Sequence, residues 1–115
     1  MRGQKATRAT TRIVEGSGNV FADIGIPEPD LALAKVRLAE AIDDAIQQRG
    51  LTQEEAAEVM GIDQGTVSRL VNERLDGFSL ERMIRYLNAL GNDLEIIVRP
   101  SEGPGYPGTL TVGRR

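Results

Sequence analysis

The chain has 115 residues and a net charge of −3, and 40% of its residues are hydrophobic although it contains only two Phe, two Tyr and no Trp. This length predicts one domain with a modest aliphatic core. The absence of Cys and His excludes disulfides, thiol catalysis, Ser-His triads and the usual zinc sites. We therefore expect no metal site or catalytic site built on Cys or His.

The sequence lacks any apolar run of the roughly 18 residues that a membrane span requires, and it has no hydrophobic segment typical of a signal peptide. We expect a cytoplasmic protein without a membrane partner. Residues 1–20 carry four Lys or Arg against one Glu, whereas residues 21–100 carry eight Lys or Arg against fifteen Asp or Glu. A body this acidic could bind a polyanion only through a local concentration of positive charge. It also invites a basic partner protein.

Residues 1–18 have almost no large apolar side chains and predict a disordered basic arm, either an inert start, which we favour, or an arm that follows a minor groove. Val20, Phe21, Ile24 and Ile26 form an apolar lead-in that could cover the core.

A long helix is predicted from Leu31 to Arg49, with Asp30 as its N-cap and Gly50 at its end. Small or aliphatic residues recur on one face at helical spacing, which indicates a packing helix. The acidic pair Asp43 and Asp44 could suggest a metal or acid/base site. Adjacent helical residues point about 100° apart, however, so a solvated face is favoured.

Residues 51–74 predict two short helices joined by a tight turn. Thr52 and Glu55 fit a capping box for a first helix from Gln53 to Met60. Gly61 suits a left-handed turn, and Asp63 can cap a second helix from Gln64 to about Asn72.

The second of these helices has a small, polar outer face. Burying Val67, Leu70 and Val71 turns Gly65, Arg69 and Asn72 outward, with two further polar residues on the flanks. Short polar groups and an arginine suit a helix in the major groove, although an ordinary capped helical hairpin is the alternative. We expect the residues that read bases to be Gln64, Gly65, Thr66, Ser68 and Arg69.

Five residues in this motif match the pattern of Xre/Cro-type repressors, which have Gln near the start, Ala, a turn Gly and two inward aliphatics. They are Gln53, Ala57, Gly61, Val67 and Leu70. The resemblance implies a mainly α, compact, four- to five-helix domain of the lambda repressor-like type that binds double-stranded operator DNA.

A further helix is predicted from Leu80 to Leu90, capped by Ser79 after the connector formed by residues 75–78. Apolar residues line one side of it. Arginines on the opposite side of this helix, and one that precedes it in the chain, could contact phosphates that flank the second helix of the motif. The candidate phosphate ligands are Gln53, Arg74, Arg82 and Arg85.

Residues 94–99 alternate as a half-buried strand does before Pro100 ends the pattern. A lone strand needs a partner, which could be a second subunit, residues 109–112 or the sheet edge of another protein. We favour the second subunit, in a homodimer whose interface contains Leu94, Ile96 and Val98.

Two flanking segments resemble HigA-like antitoxins of the Xre group: residues 19–25 and the run that contains Leu90, Gly91, Leu94, Ile96 and Val98. The resemblance covers about residues 18–100. We take residues 19–100 as one DNA-binding domain with a C-terminal β-strand, followed by a flexible Gly/Pro-rich tail at 101–115. The resemblance implies a transcriptional repressor that is not an enzyme, needs no cofactor and pairs with a HigB/RelE-type toxin. A stand-alone Xre-type repressor and a protein-interaction adaptor that does not bind DNA remain as alternatives.

Overall fold

The computed structural model describes residues 26–103 and 108–114. Within these ranges the chain forms four helices: α1 (Glu28–Gln48), α2 (Gln53–Met60), α3 (Gln64–Val71) and α4 (Leu80–Ala89). The long α1 packs against α3 and α4, and the short α2 packs against α3 and α4. The prediction of a compact, mainly helical domain is confirmed. The predicted basic arm and all of the apolar lead-in except Ile26 lie outside the described residues.

Helix α1 begins earlier than the sequence pattern predicts. Pro27 occupies the N-cap position without a side-chain cap, and Pro29 lies in the first turn. A proline is tolerated there because the first amides of a helix have no partner within it. The prediction that Asp30 is the N-cap is therefore wrong. Its carboxylate instead accepts a hydrogen bond from the backbone N–H of Leu110 at 3.1 Å.

The other three helices begin at the predicted caps. Thr52 and Glu55 form both hydrogen bonds of a capping box at the start of α2. Gly61 ends this helix with φ of 74°, a left-handed conformation that is cheapest without a Cβ. Asp63 caps α3 and Ser79 caps α4, each by accepting a backbone N–H. These boundaries follow from local chemistry, which is why the sequence predicts them well.

One aliphatic core lies between the helices. Ile42 of α1, Val67 and Leu70 of α3 and Met83 of α4 are completely buried. Two aromatic rings extend the core at one side, where Phe78 meets Tyr86 edge to face with ring centroids 6.4 Å apart. Two residues on the inner side of α3 reach the centre of this core, and they fix the orientation of the helix.

The predicted β-strand at residues 94–99 is not found. The described residues contain no strand, and only Leu94 of this segment packs against the core. A strand needs a ladder partner, and residues 109–112, one of the three candidates, form no ladder with it. The single chain therefore leaves this segment outside any sheet.

The C-terminal residues 108–114 lie along α1. Val112 is partly buried and packs against the core. Three polar contacts with donor–acceptor distances of 2.7–3.1 Å join the tail to α1. They join Leu110 to Asp30, Val112 to Arg37, and Arg114 to Asp44. The tail and α1 are far apart in the chain, so the sequence alone predicts none of these contacts.

Candidate DNA interface

The structure confirms the predicted orientation of α3. Val67 and Leu70 are fully buried, whereas Gln64, Gly65 and Arg69 are exposed. Thr66 and Ser68 lie half-buried on the flanks. Because the buried aliphatic side of α3 is fixed in the core, its short polar side chains face outward. A helix that enters the major groove requires this arrangement. That these five residues contact bases stays a prediction.

The first residues of α2 and α3 are joined by a side-chain hydrogen bond. The amide nitrogen of Gln64 donates to the amide oxygen of Gln53 at 2.7 Å. The bond links a predicted base reader to a predicted phosphate ligand. Because this bond uses only the oxygen of the Gln53 amide, the nitrogen of that amide can still donate a hydrogen bond to a phosphate oxygen. The pair can therefore fix the register of α3 relative to a DNA strand.

Asp63 holds Thr66 at the beginning of α3. The carboxylate accepts from both the hydroxyl and the backbone N–H of Thr66 at 2.7 Å. These two hydrogen bonds, the side-chain one first, hold the pKa of Asp63 below its ordinary value. The cap therefore restrains one flank of the outer face of α3 as well as the first turn of the helix.

Asp63 should make stability depend on pH in the acidic range. Because the pKa of its carboxyl is lower in the folded chain, its contribution is complete above the unfolded value of about 3.9 and is lost as pH falls through the folded value. In Asp63→Asn, which keeps a capping oxygen without the charge, we expect a lower Tm than wild type at neutral pH. The difference should shrink as pH falls below about 3.9 and disappear once the pH is below the folded-state pKa of Asp63. Thermal unfolding followed by circular dichroism from pH 7 down to about pH 2 measures it, and a difference that stays constant over this whole range would contradict the charge effect.

Arg69 turns toward the connector that follows α3. Its guanidinium donates to the backbone oxygen of Asp76 at 2.7 Å and lies 4.9 Å from the centre of the Phe78 ring. The contacts are typical of a guanidinium, which can stack on a ring and donate hydrogen bonds at its edge. Any base contact by this residue must use its remaining donors or break this hydrogen bond.

Arg82 supports the same connector from α4. Its guanidinium lies 5.0 Å from the centre of the Phe78 ring and donates to the backbone oxygen of Gly77 and the hydroxyl of Tyr86. From the sequence, Arg82 is predicted to bind a phosphate, and neither Phe78 nor Tyr86 is assigned a role. The signal was available, since Arg82 and Tyr86 are four residues apart on one helix face.

The remaining phosphate candidates differ in their surroundings. Arg85 forms an ion pair with Glu81 at 2.8 Å, which partly neutralises it. Arg74 is exposed and follows Glu73, whose φ of 58° turns the chain sharply away from the end of α3. Arg74 is therefore the more suitable of the two for a phosphate beside α3.

The described residues contain no group of three His, Cys, Asp or Glu side chains able to hold a metal ion. In the same part of the chain, no helix combines the length and hydropathy needed to cross a membrane.

Comparison with known proteins gives the class of protein that this geometry defines. The family model described as a helix-turn-helix domain matches residues 20–99. A solved structure described as an XRE family transcriptional regulator is 37% identical to this chain, with a TM-score of 0.71. The similarity covers 77% of this chain and 100% of that one. The curated proteins include no match.

The chain thus belongs to the helix-turn-helix domain family and is an XRE-type helix-turn-helix protein, the class of a DNA-binding transcriptional regulator. Helices α2 and α3 are the motif itself, so the interpretation of residues 51–74 as a helix-turn-helix is confirmed.

Proposed function

We propose that this protein is a sequence-specific repressor that binds its operator as a homodimer and controls its own operon. The observation that carries the proposal is the outer face of α3, where exposed polar side chains stand on the fully buried Val67 and Leu70. A helix held this rigidly can present the same donors and acceptors to each base pair, as direct readout requires.

In this mechanism the two ends of the motif have different tasks. Gln64, Thr66 and neighbouring residues of α3 meet base edges, while Gln53 and Arg74 contact phosphates on either side. The hydrogen bond between Gln53 and Gln64 couples these tasks, because a phosphate bound by the Gln53 amide would also position the Gln64 amide. Repression follows if the occupied site overlaps a promoter.

The operator can be obtained by selecting tight binders from a pool of random duplexes. We expect one enriched sequence with two related halves, and an affinity that falls steeply between about 50 and 200 mM salt. The double variant Gln64→Ala and Thr66→Ala should lose the preference for the selected duplex. The matched control is Gln48→Ala, an exposed residue at the end of α1, which should bind as wild type does. A wild-type chain that enriches no sequence, or whose binding ignores salt, would refute the proposal.

We further propose that the protein is the antitoxin of a type II pair with a basic, HigB/RelE-type toxin. The support is the resemblance of the segments flanking the motif and the excess of acidic residues in 21–100. On α1, Glu40 is exposed, whereas Asp44 already forms an ion pair with Arg114. A toxin that used this surface would compete with the tail. Co-purification with the product of an adjacent gene tests the pairing, and its absence would favour the stand-alone repressor.

A further inference from the structure

The segment after α4 exposes consecutive aliphatic side chains. Ile96, Ile97 and Val98 are 79%, 57% and 89% exposed, while Leu94 just before them packs against the core. A contiguous apolar run on the surface of a small domain commonly marks a contact with another molecule. Leu94 anchors the start of the run, so its position relative to the helices is set.

We propose that residues 94–99 pair antiparallel with the same residues of a second copy, with the two Ile97 residues facing each other across the two-fold axis. The inference deepens the homodimer of the proposed function and rests on it. It keeps the interface segment that the sequence predicts and adds the direction and register in which the two backbones pair.

The register follows from the side chains that each alignment places opposite one another. With the axis at Ile97, Glu95 lies opposite Arg99 of the other copy, and Ile96 lies opposite Val98. Each charge then meets its opposite, and each aliphatic meets an aliphatic, twice in every dimer. Directly opposite side chains in an antiparallel pair lie about 4.5–5.5 Å apart at Cβ, close enough for these contacts.

Neighbouring registers are worse. Moving the axis to Ile96 places Glu95 opposite Ile97 of the other copy. Moving it to Val98 places Ile97 opposite Arg99. Each alternative places a charged side chain opposite an aliphatic one, where that charge gains no ion pair. Pro100, which has no N–H to donate, ends the ladder just beyond Arg99 in the favoured register.

A second copy fits this segment better than the tail of the same chain. The backbone of the tail is already engaged along α1, where the N–H of Leu110 donates to Asp30 and the oxygen of Val112 accepts from Arg37. The side chains of residues 95–99 are also complementary to those of an identical segment in the opposite direction, and only pairing between two copies requires this. It yields a closed dimer with two α3 helices, as an operator with two halves requires.

Single cysteines test the register directly, because the chain contains no Cys. We expect Ile97→Cys to form a covalent dimer under mild oxidation, since this residue meets itself across the axis. The matched controls Ile96→Cys and Val98→Cys should each stay uncrosslinked, and a mixture of the two should crosslink. All three positions are exposed in the single chain, so circular dichroism should show unchanged folding. Crosslinking by Ile96→Cys alone but not by Ile97→Cys would overturn the register.

Charge exchange tests the same alignment without a covalent bond. Glu95→Arg or Arg99→Glu alone should raise the dimer dissociation constant on the order of tenfold, because two pairs per dimer change from attraction to repulsion. The double exchange should restore it. Analytical ultracentrifugation without DNA gives the constants, and failure of the double exchange to restore dimerisation would refute the pairing.

The selected duplex separates this inference from the proposed function. If the dimer persists in Glu95→Arg and still binds the duplex, only the interface is wrong. If the dimer forms as described but no duplex is preferred, the repressor function is wrong and the interface stands.

Discussion

Replacing Phe78 by Ala should lower the free energy of unfolding by about 3–5 kcal/mol, the usual range for removing a buried aromatic ring. The side chain is only 2% exposed and packs edge-on against Tyr86. Its ring also supports the guanidinium groups of Arg69 and Arg82. Such a loss is a large share of the roughly 5–15 kcal/mol by which small domains are stable. Urea unfolding followed by circular dichroism measures it.

The control is Phe78→Leu, which keeps much of the buried volume but removes the ring face. We expect a distinctly smaller loss of stability, because most of the apolar area stays covered. If the two variants were equally unstable, the contacts of the ring with the two arginines would outweigh its volume. If neither were unstable, the core would not depend on this residue.

Local signals account for most of what the sequence predicts correctly about the fold. Thr52, Asp63 and Ser79 each cap a helix by bonding an amide three residues away, so the evidence for each boundary lies within one turn. The start of α1 fails for a similar local reason. Asp30 has the right chemistry for a cap, but Pro29 suits the first turn of a helix as well, and the helix begins at Glu28, directly after Pro27.

Contacts between distant residues are what the sequence could not predict. The hydrogen bond from Arg37 to Val112 joins residues 75 positions apart, and the local sequence around neither residue predicts it. The strand shows a different limit. The alternation of apolar and polar residues at 94–99 shows only that this segment is able to pair as a strand. A ladder also needs a partner strand, which the single chain does not supply.

For the candidate site, helical periodicity predicts which side chains of α3 face outward but not how they are used. Gln64 and Arg69 are both exposed, yet one bonds Gln53 and the other bends to the connector at Asp76. Exposure alone does not distinguish a base reader from a residue that fastens a loop. That distinction needs a comparison between two arginines in different surroundings.

Arg69 and Arg74 provide this comparison. Arg69→Ala should lose about 1–3 kcal/mol of discrimination between the selected duplex and a scrambled one, if the donors not used by the Asp76 carbonyl grip a guanine. Arg74→Ala should weaken both duplexes alike and reduce the salt dependence by about one phosphate contact. Titrations of both duplexes at two salt concentrations give the four affinities needed for each variant.

Arg69→Lys shows which property of Arg69 matters. Lysine keeps the positive charge but lacks the planar fork that bonds a guanine at two points. We expect this variant to lose nearly as much discrimination as Arg69→Ala while retaining more affinity for the scrambled duplex. Urea unfolding of both variants separates a DNA effect from a looser connector, since the hydrogen bond to Asp76 is lost in Arg69→Ala. If Arg69→Ala weakened both duplexes equally, its guanidinium would serve the connector and the phosphates, and base reading would fall to Gln64, Thr66 and Ser68.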